Sequence, residues 1–95
     1  MTRQEIDRYI SRMQRKVQRH WKVPAERPGR LRDPEVVLEL DRDGSIRSIT
    51  ISRSSGDPFM DRSLIQAIRA AAPFDLPADH FELFRTNRIT FHPLR

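Results

Sequence analysis

An α+β fold, with a small three-stranded antiparallel sheet packed on one face by two helices, is what this 95-residue sequence predicts. Three observations lead there. Apolar residues near the N-terminus recur at helical spacing. A second helical stripe follows Asp57, and three further stretches alternate apolar and polar residues with the period of a strand. The predicted order is helix, strand, strand, helix, strand. At this length a single domain over 1–95 is expected, since a second hydrophobic core would lack residues to build it.

The first helix is read over residues 2–22. Ile6, Ile10, Met13, Val17 and Trp21 recur at steps of three and four and so form one stripe, with Tyr9 at its margin. Thr2 and Glu5 have the spacing of a capping box, which places the start. The opposite face carries Arg8, Arg12, Arg15, Lys16, Arg19 and Lys22. Such a face can grip phosphates, or it can simply keep a small domain in solution. Pro24 ends the helix, and a connection with Pro28, Gly29 and Pro34 follows.

A hairpin is read over residues 35–53. Val36, Leu38 and Leu40 alternate with Val37, Glu39 and Asp41, giving one buried and one wet face. Asp43-Gly44 supplies the turn, and Ile49 and Ile51 resume the alternation on the return strand. Ile46 is out of phase with that pair, as a bulge beside the turn or a half-buried residue on the other face would explain.

The stretch Ser54-Ser55-Gly56-Asp57-Pro58 hands the hairpin to a second helix over residues 58–72. Asp57 is placed to cap it, and Pro58 at the first helical position gives up an N–H that has no helical partner anyway. Phe59, Met60, Leu64, Ile68 and Ala71 read as its apolar stripe, with Arg62, Gln66 and Arg69 facing water. Phe81 and Phe84 are read as anchors beneath the next loop, or as part of a short helical turn. Residues 87–92 form the last strand, with Ile89 and Phe91 alternating against Arg88, Thr90 and His92.

Composition removes several classes of chemistry. There is no cysteine, hence no disulfide framework, Cys-ligated zinc or thiol nucleophile. No apolar run approaches the roughly 18 residues of a membrane span. Ser54 and Ser55 could be imagined as nucleophiles, yet the Gly-x-Ser-x-Gly spacing is missing and a turn accounts for them. Asp57 and Asp61 could pair as acid and base, but capping and the positive end of a helix account for both. His20, His80 and His92 fall in three elements without metal-ligand spacing. No catalytic residue, metal or cofactor is expected, and recognition is the expected role.

Charge and sheet geometry offer two recognition surfaces. Net charge is +5, and residues 1–32 hold ten Lys/Arg against three Asp/Glu, whereas residues 33–95 hold eight against ten. The basic excess therefore lies in the first third, most of it on the first helix, where Arg8, Arg12, Arg15, Lys16 and Arg19 would serve a nucleic-acid-binding domain. No stacking aromatics interleave them, so nucleic acid is the alternative reading. The other surface is a sheet edge, whose unpaired N–H and C=O groups can take up a partner's strand. The last strand is the natural candidate, with Arg88 and His92 as side-chain selectors; Arg88 and Pro93 could equally blunt that edge.

Taken in order, "YISRMQRKVQRHWKVP", "LELDRDGSIRSITI", "SSGDPFMDRSLIQAIRAAAPF" and "FRTNRITFHP" resemble the C-terminal periplasmic domain of TolA/TonB-like energy transducers. The resemblance runs over about residues 6–93. Gly-Asp-Pro and the closing segment are similar to TolA-like members, while "WKVP" and "DGSI" suit the broader TonB-like group. The absence of cysteine departs from some TolA-type domains.

The resemblance implies a non-enzymatic domain at the end of an inner-membrane-anchored protein of a Gram-negative cell, with the anchor and a long spacer lying before the residues given. It implies capture of outer-membrane receptors or periplasmic envelope proteins through linear segments. Force derived from the proton gradient would reach the domain from motor subunits in the inner membrane. Carried over residue by residue, the partner-binding strand is Asn87, Arg88, Ile89, Thr90, Phe91 and His92. Use in another envelope machine fits the same residues. Two isolated domains could also pair edge to edge as a homodimer.

Overall fold

The computed structural model describes residues 1–24 and 30–93; Pro28 and Gly29 of the first connection lie outside them. Helix α1 spans Arg3–His20, strand β1 Glu35–Leu40, strand β2 Ile46–Arg53, helix α2 Pro58–Ala71 and strand β3 Thr86–Thr90, with a short 3-10 helix, Ala78–Phe84, leading into β3. β1 is the central strand of a β2-β1-β3 sheet, and both neighbours run antiparallel to it. The fold class and element order are those the periodicities predict.

Both helices cover one face of the sheet, with α1 packed against α2 and β3, and α2 reaching β2. Their stripes meet the inward residues of the strands. Val17, Val36, Met60, Leu64 and Ile68 are sealed from solvent, and Leu38, Leu40, Ile89 and Phe91 nearly so. Each such side chain contributes about 1.5–3 kcal/mol on leaving water. Trp21 closes the end of this layer. Its ring meets Phe91 edge to face at 6.5 Å, and its indole N–H donates to the Ser63 hydroxyl at 2.9 Å.

The element ends differ from the sequence reading for local reasons. Thr2 and Glu5 form the expected capping box, so Thr2 stands before the helix and not within it. At the other end Trp21 is already extended, its backbone N–H donating to Gln18 C=O at 3.3 Å to close the last turn. α2 stops at Ala71 and Ala72 turns extended, as the residue before a proline prefers. Phe59 is a correction: it is 67% exposed, with the Arg62 guanidinium 5.5 Å from its ring. At helical spacing Phe59 shares its face with Ser63, Gln66 and Ala70, whereas the buried stripe runs Met60, Leu64, Ala67, Ile68 and Ala71.

The out-of-phase Ile46 marks a bulge. Glu39 lies opposite Ser48, but Leu40 lies opposite Ile46, so Arg47 is the extra residue and Ile46 returns to the face of Ile49 and Ile51. A second register shift follows at the far end, where Val36 opposes Ile51 and Glu35 opposes Arg53. β2 is thus irregular at both ends.

Candidate functional site

β3 begins where Asn87 holds it. Its side-chain amide is buried and donates to the carbonyls of Phe84, at 2.7 Å, and Leu38, at 3.3 Å, tying the end of the 3-10 helix to the central strand. Leu40 N–H donates to Arg85 C=O, and Phe91 N–H donates to Pro34 C=O, each at 2.9 Å. Those two bonds set the phase of the ladder. Hydrogen-bonded pairs of an antiparallel ladder recur every second residue, so Asn87 and Ile89 also point their backbone groups at β1. Thr86, Arg88, Thr90 and His92 therefore point theirs outward. The regular strand ends at Thr90, not at His92, because Pro34 has no N–H to return to Phe91.

The six residues read from the sequence as one binding strand thus divide into two sets. Asn87, Ile89 and Phe91 are buried and bond inward, while Arg88, Thr90 and His92 line the outer edge. Both expected selector side chains are engaged by acidic neighbours. Arg88 reaches Glu35 at 2.9 Å, and Glu35 also accepts from the Ser52 hydroxyl at 2.8 Å, making a row across all three strands on the face away from the helices. The Ser52 hydroxyl and then Arg88 hold the Glu35 carboxyl below its ordinary range. The His92 ring lies 2.8 Å from Asp33.

Part of the outer edge is occupied from within the chain. Gln14 of α1 donates to Thr90 C=O at 2.8 Å. Gln18, one turn later, accepts from His92 N–H at 3.2 Å and donates to His92 C=O at 3.4 Å. The outward groups of Thr86 and Arg88 have no strand beside them among the described residues. Sequence reasoning passed over both glutamines. Their one signal is a four-residue spacing along the margin of the apolar stripe.

The basic residues of α1 make a separate surface. Arg12, Arg15, Lys16 and Arg19 line an open groove of about 320 Å³ with Met13, Phe74 and Asp75. Lys16 donates to Pro73 C=O at 2.8 Å and Arg12 lies 5.2 Å from the Tyr9 ring, so part of this charge is spent on packing. Arg8 stands earlier on the helix beside a second, shallower depression that Arg15 shares.

The Ser54-Ser55-Gly56-Asp57 stretch is a helix start. Asp57 accepts from Phe59 N–H at 3.1 Å. Asp61 collects the hydroxyls of Ser54 and Ser55, together with Ser55 N–H at 2.9 Å. Burial pushes the Asp61 carboxyl up, but those three donors outweigh it, and its pKa lies below the ordinary value of 3.8. Ser55 is sealed from solvent. Its hydroxyl keeps Asp57 C=O as an acceptor, but its N–H has only the Asp61 carboxylate, so Asp61→Ala strands a buried N–H at an expected cost of about 1–3 kcal/mol. Because the folded pKa is the lower one, this contribution is complete above the unfolded value and is lost as pH falls through the folded value. Urea unfolding should therefore show a wild-type advantage over Asp61→Asn at pH 7 that shrinks below about pH 4. An advantage independent of pH would refute the assignment.

Comparison with known proteins points to one group. A family model described as TonB C terminal matches residues 6–91. Tol-Pal system protein TolA of Pseudomonas aeruginosa is 39% identical over 64 residues, which cover 62% of this chain and 18% of that protein. The chain therefore spans less than a fifth of that relative. Among solved structures, the solution NMR structure of TolAIII bound to a peptide derived from the N-terminus of TolB superimposes with a TM-score of 0.67 at 32% identity, covering 90% of this chain and 69% of that one.

Proposed function

This chain belongs to the TonB C-terminal family, and on that premise we propose that it captures a partner by taking the partner's strand onto the outer edge of β3. It is a non-catalytic periplasmic domain that binds a periplasmic or outer-membrane-associated protein through a linear segment. The finer reading is that the segment pairs with the outward N–H and C=O groups of Thr86 and Arg88, continuing toward Thr90 and His92. The observation that carries it is the phase of the ladder, which turns the backbone groups of Thr86 and Arg88 away from β1 on a side where no strand pairs among the described residues. Backbone bonds would supply affinity, and side chains flanking the strand would supply selectivity.

The same reading makes the domain the far end of an inner-membrane-anchored protein in a Gram-negative cell, driven by proton-powered motor subunits. The similarity to TolA supports it. Two copies lacking a partner would meet through the same edge.

The test is an NMR titration of the 95-residue chain with the peptide derived from the N-terminus of TolB that the related domain is seen to bind. Thr86, Arg88 and Thr90 amides should shift and gain protection from exchange, while Asn87 and Ile89 amides, already bonded inward, should keep theirs. A short DNA duplex is the control. Salt-sensitive shifts along Arg8 to Arg19 with DNA, and none with peptide, would transfer the function to the basic face.

A further inference from the structure

We propose that Gln14 and Gln18 are placeholders on the outer edge of β3, exchanged for a partner's backbone when a strand is added; the proposal rests on the reading of that edge as the docking site. The Gln18 amide donates to His92 C=O and accepts from His92 N–H. That pair of bonds is what a residue of a neighbouring antiparallel strand makes at a hydrogen-bonded position. Gln14 repeats half of the pattern at Thr90 C=O, two residues back along the strand.

The two spacings match. Four residues of helix rise about 6 Å, and two residues of strand advance about 6.5–7 Å, so an i, i+4 pair on a helix lying along a strand can meet consecutive outward positions. The glutamines come from a side of α1 next to its core stripe and are themselves half-buried. α1 thus covers three outward groups, one on Thr90 and two on His92 just past the end of β3, and leaves those of Thr86 and Arg88, with the N–H of Thr90, for first contact.

Exposed strand edges invite indiscriminate pairing, and natural sheets blunt them. A side-chain amide blunts an edge reversibly. It is polar enough to return to water, and the backbone amide that replaces it makes like bonds, so exchange leaves no polar group unsatisfied. The cost is affinity, because a partner reaching Thr90 and His92 must first displace three bonds. The edge then opens only to a segment already seated at Thr86 and Arg88 and long enough to continue.

The double variant Gln14→Ala/Gln18→Ala removes the placeholders while sparing the core stripe of α1. Its His92 amide should exchange faster in the free domain. It should bind the TolB N-terminal peptide about tenfold more tightly than the parent chain. Gln18→Glu keeps the length and the acceptor but replaces the donor with a charge against His92 C=O, so it should fall between the two and serves as a check if the double variant folds poorly. In the parent chain, the Gln14 and Gln18 side-chain amide signals should move toward solvent-exposed positions on peptide addition. Peptide shifts on β3 with unchanged or weaker affinity in both variants, and glutamine signals that stay put, would overturn the placeholder role while leaving strand addition standing. Peptide binding that touches no β3 residue in any of the three proteins would overturn both.

Discussion

Gly44→Ala is expected to destabilise the domain by about 3–5 kcal/mol, a lowering of the thermal midpoint of roughly 12 °C or more for a chain of this size. Two costs combine. Gly44 has a φ of +83°, which an L-residue with a side chain occupies only under strain. An added Cβ would also stand 1.9 Å from the carbonyl oxygen of Phe74 and 2.8 Å from its nitrogen. These are backbone atoms, so relief requires the turn and the segment after α2 to separate. Separation would break the 2.9 Å bond from Phe74 N–H to Gly44 C=O and lift the buried Phe74 ring. Gly56 is the internal control. Its φ is +98°, yet the nearest atom to an added Cβ is 4.0 Å away, so Gly56→Ala should cost only the conformational part, about 1 kcal/mol. Equal losses from the two substitutions would show that the packing of the β1–β2 turn against Phe74 contributes nothing.

The second large effect is on binding. Arg88→Pro should weaken the TolB N-terminal peptide by about 100-fold with the fold retained. Arg88 N–H points away from β1, so proline removes no bond of the sheet but deletes a donor at the centre of the proposed docking edge. The loss of that bond, a partner carbonyl left unsatisfied and the bulk of the ring against an incoming strand together set the magnitude. Asn87 tolerates the change because a residue before proline favours the extended backbone it already has. Arg88→Ala supplies the contrast. It keeps the N–H and removes only an exposed ion pair with Glu35, so affinity should change no more than a few-fold. Calorimetric titration of both variants separates backbone pairing from side-chain recognition. Equal, large losses in the two would place recognition on the guanidinium and refute the strand mechanism.

Much of this architecture was legible because it is local. The capping box of Thr2 and Glu5, the cap at Asp57 with Pro58 behind it and the turn at Gly44 are written within a few residues each, and periodicity identified both helices and all three strands. Phe59 misled because one helical residue turns about 100°, so a large apolar side chain beside Met60 sits on the solvent side. The last strand was named as the docking edge and alternation already set Ile89 and Phe91 apart from Arg88, Thr90 and His92, but which set turns its backbone groups away from β1 was not legible. That phase depends on which residues of β1 lie opposite. The glutamines were illegible for the same reason, since Gln14 meets Thr90 and Gln18 meets His92 across more than 70 residues of chain.

The two bulges in β2 carry a consequence for stoichiometry. A sheet has two margins, and if both accepted strands, copies of this domain could join head to tail without limit, as open heterologous assemblies do. The displaced residues near Leu40 and Glu35 interrupt the spacing of pairing groups along β2, so a straight strand laid there would fall out of step at either end. Among the described residues only the β3 margin pairs with β1 without a register shift. Self-pairing through one margin closes on itself as a two-fold dimer and goes no further, and a partner strand seated there terminates even that. On the proposed reading, in which strands add at the β3 edge, the irregularity of the far strand would keep assembly finite, each added strand being also the last.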